Sequence, residues 1–286
     1  MGELSGQRAL VTGASGGIGA EIARALARRG AALVLCARRG AELEELAAEL
    51  RKAHGVAADV VVADLSVPGA AMELWGKATA GGPVDILVNN AGFGHFRPFG
   101  DIALERETEM LRLNIIALVE LSHAFVAAHR DRPPEQAAYL MNVASIAAWQ
   151  PVPHFATYAA SKVFVRNFSE ALHLEQKGKA VRVHCLCPGG THTEFHATAG
   201  AGNYGKLANA SMLSAADVAE QGVRAMLRGK KTLVTGVLNK LSCFFTGMSP
   251  RGVTSRASMF VMGKPRRDAL PATTSSAKLP AGDKGT

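Results

Sequence analysis

Cysteine is scarce. The 286 residues contain 4, too few for a disulfide framework, and none stands in a CxxC or His/Cys spacing that would hold zinc. Cys185 and Cys187 lie two apart in an apolar run, hence on one face of a strand, and Cys36 sits in another such run. Reduced, buried thiols in an intracellular protein are therefore expected, and no metal site. Long apolar stretches are missing too. Nothing reaches the run of about 18 or more apolar residues that a spanning helix needs, so none is expected. The opening Met1-Gly2-Glu3-Leu4-Ser5-Gly6 has neither a basic n-region nor an apolar h-region. No signal peptide is expected, and the expected compartment is the cytoplasm.

Charge of one sign is absent from one stretch. Charged residues make up 20% of the chain against 48% apolar, which excludes a disordered polyelectrolyte and leaves ample material for a core. The formal net charge is +8, but residues 1–220 hold 20 basic and 22 acidic side chains, whereas residues 221–267 hold ten basic and none acidic. The body is nearly neutral, and the basicity belongs to its C-terminal edge and the segment beyond. No nucleic-acid motif or aromatic-basic platform accompanies that stretch, so no nucleic-acid partner is expected.

What is present is an alternation of short β-rich runs with helical patterns. Ala9–Val11, Ala32–Ala37, Val60–Ala63, Asp85–Val88, Tyr139–Val143, Val181–Leu186 and Thr232–Val234 read as strands. Between them, Ile18–Arg29, 41–53, 70–79, 104–128, 157–176 and 215–228 read as helices; leucines at 43, 46 and 50 mark one helical face. Strands joined by helices of this length lie parallel with right-handed crossovers. The fold class expected is α/β, a doubly wound parallel sheet of Rossmann-like type in a single domain. Residues 1–236 form that dinucleotide-binding and catalytic domain, 237–262 an amphipathic basic extension, and 263–286 a disordered tail without periodicity.

The first strand runs into Thr12-Gly13-Ala14-Ser15-Gly16-Gly17-Ile18-Gly19 just before the first helix. Glycine admits a sharp turn and a close approach to a pyrophosphate, and the helix N-terminus offers free N–H groups and a positive dipole end. Gly13, Ser15, Gly17, Ile18 and Gly19 are the candidate contacts, although the spacing is GxxxGxG and not the commoner GxGxxG. A purely structural tight turn is the bland alternative. The second strand ends in Ala37-Arg38-Arg39 with no acid. A cation pair suits a 2′-phosphate, which points to NADP(H), with Arg38 in the lead and Arg39 in support. Asp64, with Leu65 after it, closes the third strand as a candidate acceptor for the adenine amino group; it reads equally well as a turn former.

Tyr158-Ala159-Ala160-Ser161-Lys162 sets Tyr and Lys four apart, neighbours on one helix face. An ammonium beside a phenol favours the phenolate, so such a tyrosine can exchange a proton with a carbonyl or alcohol oxygen near neutral pH. Ser145, just after a strand, is placed to hold the same oxygen.

With these residues on one chain, residues 5–235 resemble the short-chain dehydrogenase/reductase family. The likeness extends to Asn89-Asn90-Ala91-Gly92, to Asn114 in the following helix, and to Pro188-Gly189. It implies a catalytic set of Asn114, Ser145, Tyr158 and Lys162, with Asn114 holding a water that links the lysine to solvent. It also implies cofactor contacts at Asn90, Ala91, Gly92, Tyr158, Lys162, Pro188, Gly189, Thr191 and Thr193. One departure is Gly190, where similar members often carry proline; the extra glycine loosens the turn that would aim Thr191 and Thr193.

Residues after these loops should line the substrate space: Ser145, Ala147, Trp149, His95, Phe96, His154 and Phe195. The set is mostly apolar and aromatic, so the expected small-molecule substrate is a hydrophobic carbonyl or alcohol, such as a ketone, a fatty-acyl derivative or a steroid-like ring. Core filling is the plain alternative for each aromatic. A non-catalytic NADP(H)-binding sensor or scaffold is the competing function. A homo-oligomer, dimer or tetramer, is also expected. For 237–262, contact with an anionic membrane stands beside packing on another subunit or over the pocket.

Overall fold

The computed structural model describes residues 2–192, 212–250, 252–254 and 256; the expected tail at 263–286 lies outside them. Seven strands form the main sheet: β1 (Arg8–Thr12), β2 (Ala32–Ala37), β3 (Ala58–Val62), β4 (Ile86–Asn89), β5 (Ala138–Val143), β6 (Val181–Cys187) and β9 (Thr232–Val234). They lie side by side in the order β3-β2-β1-β4-β5-β6-β9. Every pairing is parallel, as strands joined by helical crossovers must be. Thr191–His192 (β7) and Leu213–Ser214 (β8) pair as a small separate ladder.

Helices cover both faces of the sheet. On one lie α1 (Gly17–Ala27), α2 (Gly40–His54) and α7 (Ala215–Leu227); their Ile22, Leu26, Leu43, Leu46, Leu50, Val218 and Val223 are buried against Val11, Leu33 and Leu35 of the strands. On the other lie α3 (Ala70–Ala80), the helical run Leu104–Ala128 and α6 (Ala156–Glu175), whose Leu74, Leu121 and Phe125 pack over Leu10, Val34, Leu87 and Leu140. A sheet buried on both faces is why its strands read as unbroken apolar runs. The order reverses between β1 and β4, which opens a crevice at the carboxyl ends of the strands.

The run Leu104–Ala128 is not one regular helix. Leu104–Leu111 (α4) and Leu118–Ala128 (α5) are joined by a π turn over Arg112–Ala117. By length and composition this run is apolar enough to cross a membrane. Its buried Met110, Ala117, Leu118, Leu121 and Phe125 show it to be part of the core instead.

The last described helix, α8 (Val237–Met248), is built inside out. Asn239 and Cys243 face the body, while Val237, Leu238, Leu241, Phe244, Phe245 and Met248 are exposed.

Candidate active site

The glycines of the first turn are there because there is no room for anything larger. Gly13 has φ +67°, and a Cβ on it would come within 2.8 Å of the Asn90 amide nitrogen. A Cβ on Gly19 would run into the carbonyl of Gly13, and one on Gly16 would meet the Arg39 guanidinium at 2.9 Å. Gly16 caps α1 without any side-chain hydrogen bond to the first-turn amides, which leaves that helix end open to an anion. Thr12 locks this turn to the next loop. Its hydroxyl donates to the Val88 carbonyl at 3.1 Å and accepts from the amides of Asn90 and Ala91 at 3.0 and 3.1 Å. Asn90 answers with its side-chain amide, which donates to the carbonyls of Thr12 and Gly13 at 3.0 and 3.2 Å.

Two cations flank the turn. Arg39 donates to the Ser15 hydroxyl and carbonyl at 3.3 and 3.1 Å and pairs with Glu42 at 3.4 Å. Arg38, its side chain 61% exposed, lies 3.6 Å from Asp64 and 3.9 Å from Glu109. Burial works to raise the Asp64 pKa, but the Ser66 hydroxyl and amide, with Arg38, outweigh it and hold the carboxyl below its ordinary value. Leu65 is buried beside it.

Across the crevice, α6 presents Tyr158 and Lys162 one turn apart, both buried. The Tyr158 ring stacks on Phe155 at 4.2 Å. The loop backbone comes so near this stacked pair that a Cβ on Gly94 would stand 2.7 Å from both rings. Lys162 donates from Nζ to the Val143 carbonyl at 2.9 Å. Burial pulls its pKa down to about 8, with Cys185 and Cys187 pulling weakly the other way. Ser145 follows β5 in extended backbone, and its hydroxyl accepts from the Ala147 amide at 3.1 Å. Asn114 sits in the π turn. Its amide donates to the Phe93 carbonyl at 3.0 Å and to the Ser161 hydroxyl at 3.1 Å, and its oxygen accepts from the Phe93 amide at 3.2 Å. Ser161 donates in turn to the Tyr158 carbonyl at 2.7 Å. Residues from three separate stretches of sequence thus line the region between β4, β5 and α6.

The sequence model for short chain dehydrogenases matches residues 7–203. The chain belongs to the short-chain dehydrogenase/reductase family. A very-long-chain 3-oxoacyl-CoA reductase of Anas platyrhynchos is 32% identical over 195 residues, which is 66% of this chain and 61% of that protein; the match thus spans under two thirds of that relative. Among solved structures, a 7beta-hydroxysteroid dehydrogenase superposes with TM-score 0.79 at 26% identity, covering 90% of this chain and 99% of that one. A short-chain dehydrogenase from Sphingobium yanoikuyae in complex with NADPH gives 0.73 at 28% identity, covering 85% and 94%. Members of the family are oxidoreductases that use NAD(P)(H). The residues present fit that cofactor: a cradle in which side chains have no room, an uncapped helix end for a pyrophosphate, and cations at the outer rim.

Other expected site residues fall on the same edge of the sheet. Gly92 leaves only 2.9 Å between a Cβ and the Asn114 oxygen. Thr191 is buried and donates to the Gly189 carbonyl at 3.0 Å. Pro188 accepts at its carbonyl from the Ile146 amide at 2.9 Å. Thr193 and Phe195 lie outside the described residues. Phe96 is only 1% exposed and packs with Met110, Val152 and Phe155, so core filling accounts for it here. His95 is enclosed as well. Neither of its ring nitrogens has a hydrogen-bond partner among the described residues, and burial lowers its pKa. His154 adopts φ +64° and accepts at its carbonyl from the Arg97 amide at 2.8 Å. The Arg166 guanidinium lies 4.3 Å over the Trp149 ring.

Two groups escaped the sequence reading. One is Ser161, the link between Asn114 and Tyr158. The other is a buried polar chain under the site: Asn89 donates to Asn142 at 2.9 Å and to Ser122 at 3.1 Å, and Asn142 donates to Ser169 at 2.9 Å. It lies in the middle of apolar strands and depends on which strands are neighbours. The local signals were the adjacency of Ser161 to Lys162 and the place of Asn89 in Asn89-Asn90-Ala91-Gly92.

Proposed function

We propose that this protein is an NADP(H)-dependent reductase or dehydrogenase acting on a hydrophobic carbonyl or alcohol, with Tyr158 as the general acid/base. The observation that carries the reading is the convergence of Asn114, Ser145, Tyr158 and Lys162 beside the glycine cradle. Gly13, Ser15, Gly17, Ile18 and Gly19 would hold the pyrophosphate end, Arg38 and Arg39 a ribose 2′-phosphate, and Asp64 with Leu65 the adenine. Asn90, Ala91, Gly92, Pro188, Gly189 and Thr191 would border the nicotinamide half, and Lys162 its ribose. When bound, the reduced cofactor supplies a hydride to the carbonyl carbon.

The chain's own residues do the rest. Tyr158 gives its phenolic proton to the substrate oxygen as negative charge develops there, and in the reverse direction takes it from the alcohol. Ser145 donates a hydrogen bond to the same oxygen. The Lys162 ammonium favours the phenolate that forms. Asn114 positions α6 through Ser161 and fixes the loop at Phe93. The Phe155 ring stacked on Tyr158, with the Gly94 backbone against both rings, keeps water from that side of the phenol, which strengthens these electrostatic effects.

The test is NADPH oxidation across ketones of graded size and polarity, repeated with NADH and with Tyr158→Phe. Turnover that favours larger apolar ketones and NADPH, and falls by roughly 10²–10⁴ in the variant, supports the reading. Tight NADPH binding with no oxidation of any carbonyl would favour a cofactor sensor or scaffold instead. Self-association is part of the same proposal, supported by exposed Leu111, Ile116 and Phe164 on outward helix faces; light scattering reads it directly.

A further inference from the structure

We propose that α8 seats this protein on the surface of an anionic bilayer. The helix turns the wrong way for a soluble body. At about 100° per residue, Val237, Leu238, Leu241, Phe244, Phe245 and Met248 fall within an arc of roughly 120°. Those six side chains are between 51% and 80% exposed. The face packed inward carries Asn239 and Cys243 instead, 4% and 5% exposed. A helix laid against a protein core presents the reverse arrangement.

The inward face is held by specific contacts, so the outward one is not an accident of loose packing. The Asn239 amide donates to the Thr235 carbonyl at 2.9 Å. It also occupies the space where a Cβ on Gly189 would stand. The body therefore fixes which side of α8 faces out. Leu241 lies at the centre of that side, and Phe244 and Phe245 flank it with their rings edge to face at 5.7 Å. Isolated exposed leucines need no explanation, whereas a contiguous apolar stripe marks an interaction surface.

Charge selects the occupant. Residues 237–267 carry six basic side chains and no acidic one. A second copy meeting this face about a two-fold axis would set the same basic segment against itself. An anionic lipid surface complements it, with aromatic and aliphatic side chains entering the headgroup boundary and cations meeting phosphates. Lys240 borders the apolar arc, where a long stem lies along the apolar layer with its ammonium in the headgroups.

Full-length protein is sedimented with vesicles of phosphatidylcholine alone and of phosphatidylcholine mixed with phosphatidylglycerol, at low and high salt. Expected is pelleting with the anionic vesicles, weakened by salt, and little with the neutral ones. Phe244→Ser with Phe245→Ser touches only exposed side chains. It should leave the thermal midpoint and the cofactor affinity unchanged while reducing partitioning by about tenfold or more. Equal pelleting of wild type and variant overturns the proposal, as does failure of the wild type to pellet with either vesicle. Light scattering without lipid gives a further arm: a wild-type oligomer that the substitutions split, with no vesicle binding, assigns the face to a second copy and overturns the proposal too.

Discussion

The ammonium nitrogen of Lys162 lies 5.7 Å from the centroid of the Tyr158 ring while donating at 2.9 Å to the Val143 carbonyl. The lysine is thus tethered by the end of β5 and held against the phenol by its own helix. Both positions are buried, so the charge acts in a medium that screens it poorly. The same burial makes that charge a burden on the fold.

Lys162→Met should therefore give a more stable and nearly inactive protein. Burial holds the Lys162 pKa at about 8 against an ordinary 10.5. Between these values the unfolded chain binds more protons than the folded one, so wild-type stability rises with pH through that window. The variant's advantage should be largest below pH 8, no more than about 3 kcal/mol, and shrink toward pH 10.5. Thermal midpoints across that range check it; an advantage that grows with pH would contradict it.

Activity should respond in the opposite sense. As pH rises through about 8, Lys162 loses the charge that supports the phenolate. The alkaline limb of kcat/KM for ketone reduction is expected to begin near there. A profile flat well beyond that pH would show that the ammonium does not contribute.

Arg38 and Arg39 together should set the choice of cofactor. Replacing both by Ala is expected to raise the KM for NADPH by roughly ten- to a hundredfold, the range of about 1.5–3 kcal/mol for hydrogen bonds to charged groups. The KM for NADH should change little. Equal losses with both cofactors would mean that the pair supports the turn through Ser15 and does not read the 2′-phosphate.

Gly19→Ala tests the cradle. Its methyl would be driven into the Gly13 carbonyl and the Asn90 amide, and overpacking against backbone costs about 1–3 kcal/mol. A lowered thermal midpoint and weakened NADPH binding are expected together. Gly55→Ala, where a Cβ meets nothing within 4 Å but φ is +66°, separates backbone strain from collision: it should lower the midpoint and leave NADPH binding intact.

Much of the fold was legible because its signals are local. The leucine spacing at 43, 46 and 50 marked the face that α2 buries, and the apolar strands marked a sheet covered on both sides. Of the four residues proposed for catalysis, Tyr158, Lys162 and Ser145 were marked by their spacing and Asn114 by the family resemblance alone. Less visible were features that exist only once the chain has folded. The Asn89–Asn142–Ser169 chain needs β4 beside β5 and α6 above them. Phe96 looked like pocket lining, yet its ring is enclosed by residues from three other segments. The orientation of α8 was hidden as well: its composition showed amphipathicity, but not that the polar side would face the body.

The π turn at Arg112–Ala117 was equally silent, since apolar spacing continues through it, and it restricts how this gene can change. One residue removed there would let the helix close with regular α-helical bonds. The π turn absorbs one residue's worth of rotation, so the two flanking helices would keep their facing, but Asn114 would lose the position from which it bonds Phe93 and Ser161. Substitutions at the exposed Arg112 and Ile116 leave the count intact. The segment should therefore accept changes of residue type and reject single-codon deletions, a pattern that a deletion scan would separate cleanly from a substitution scan.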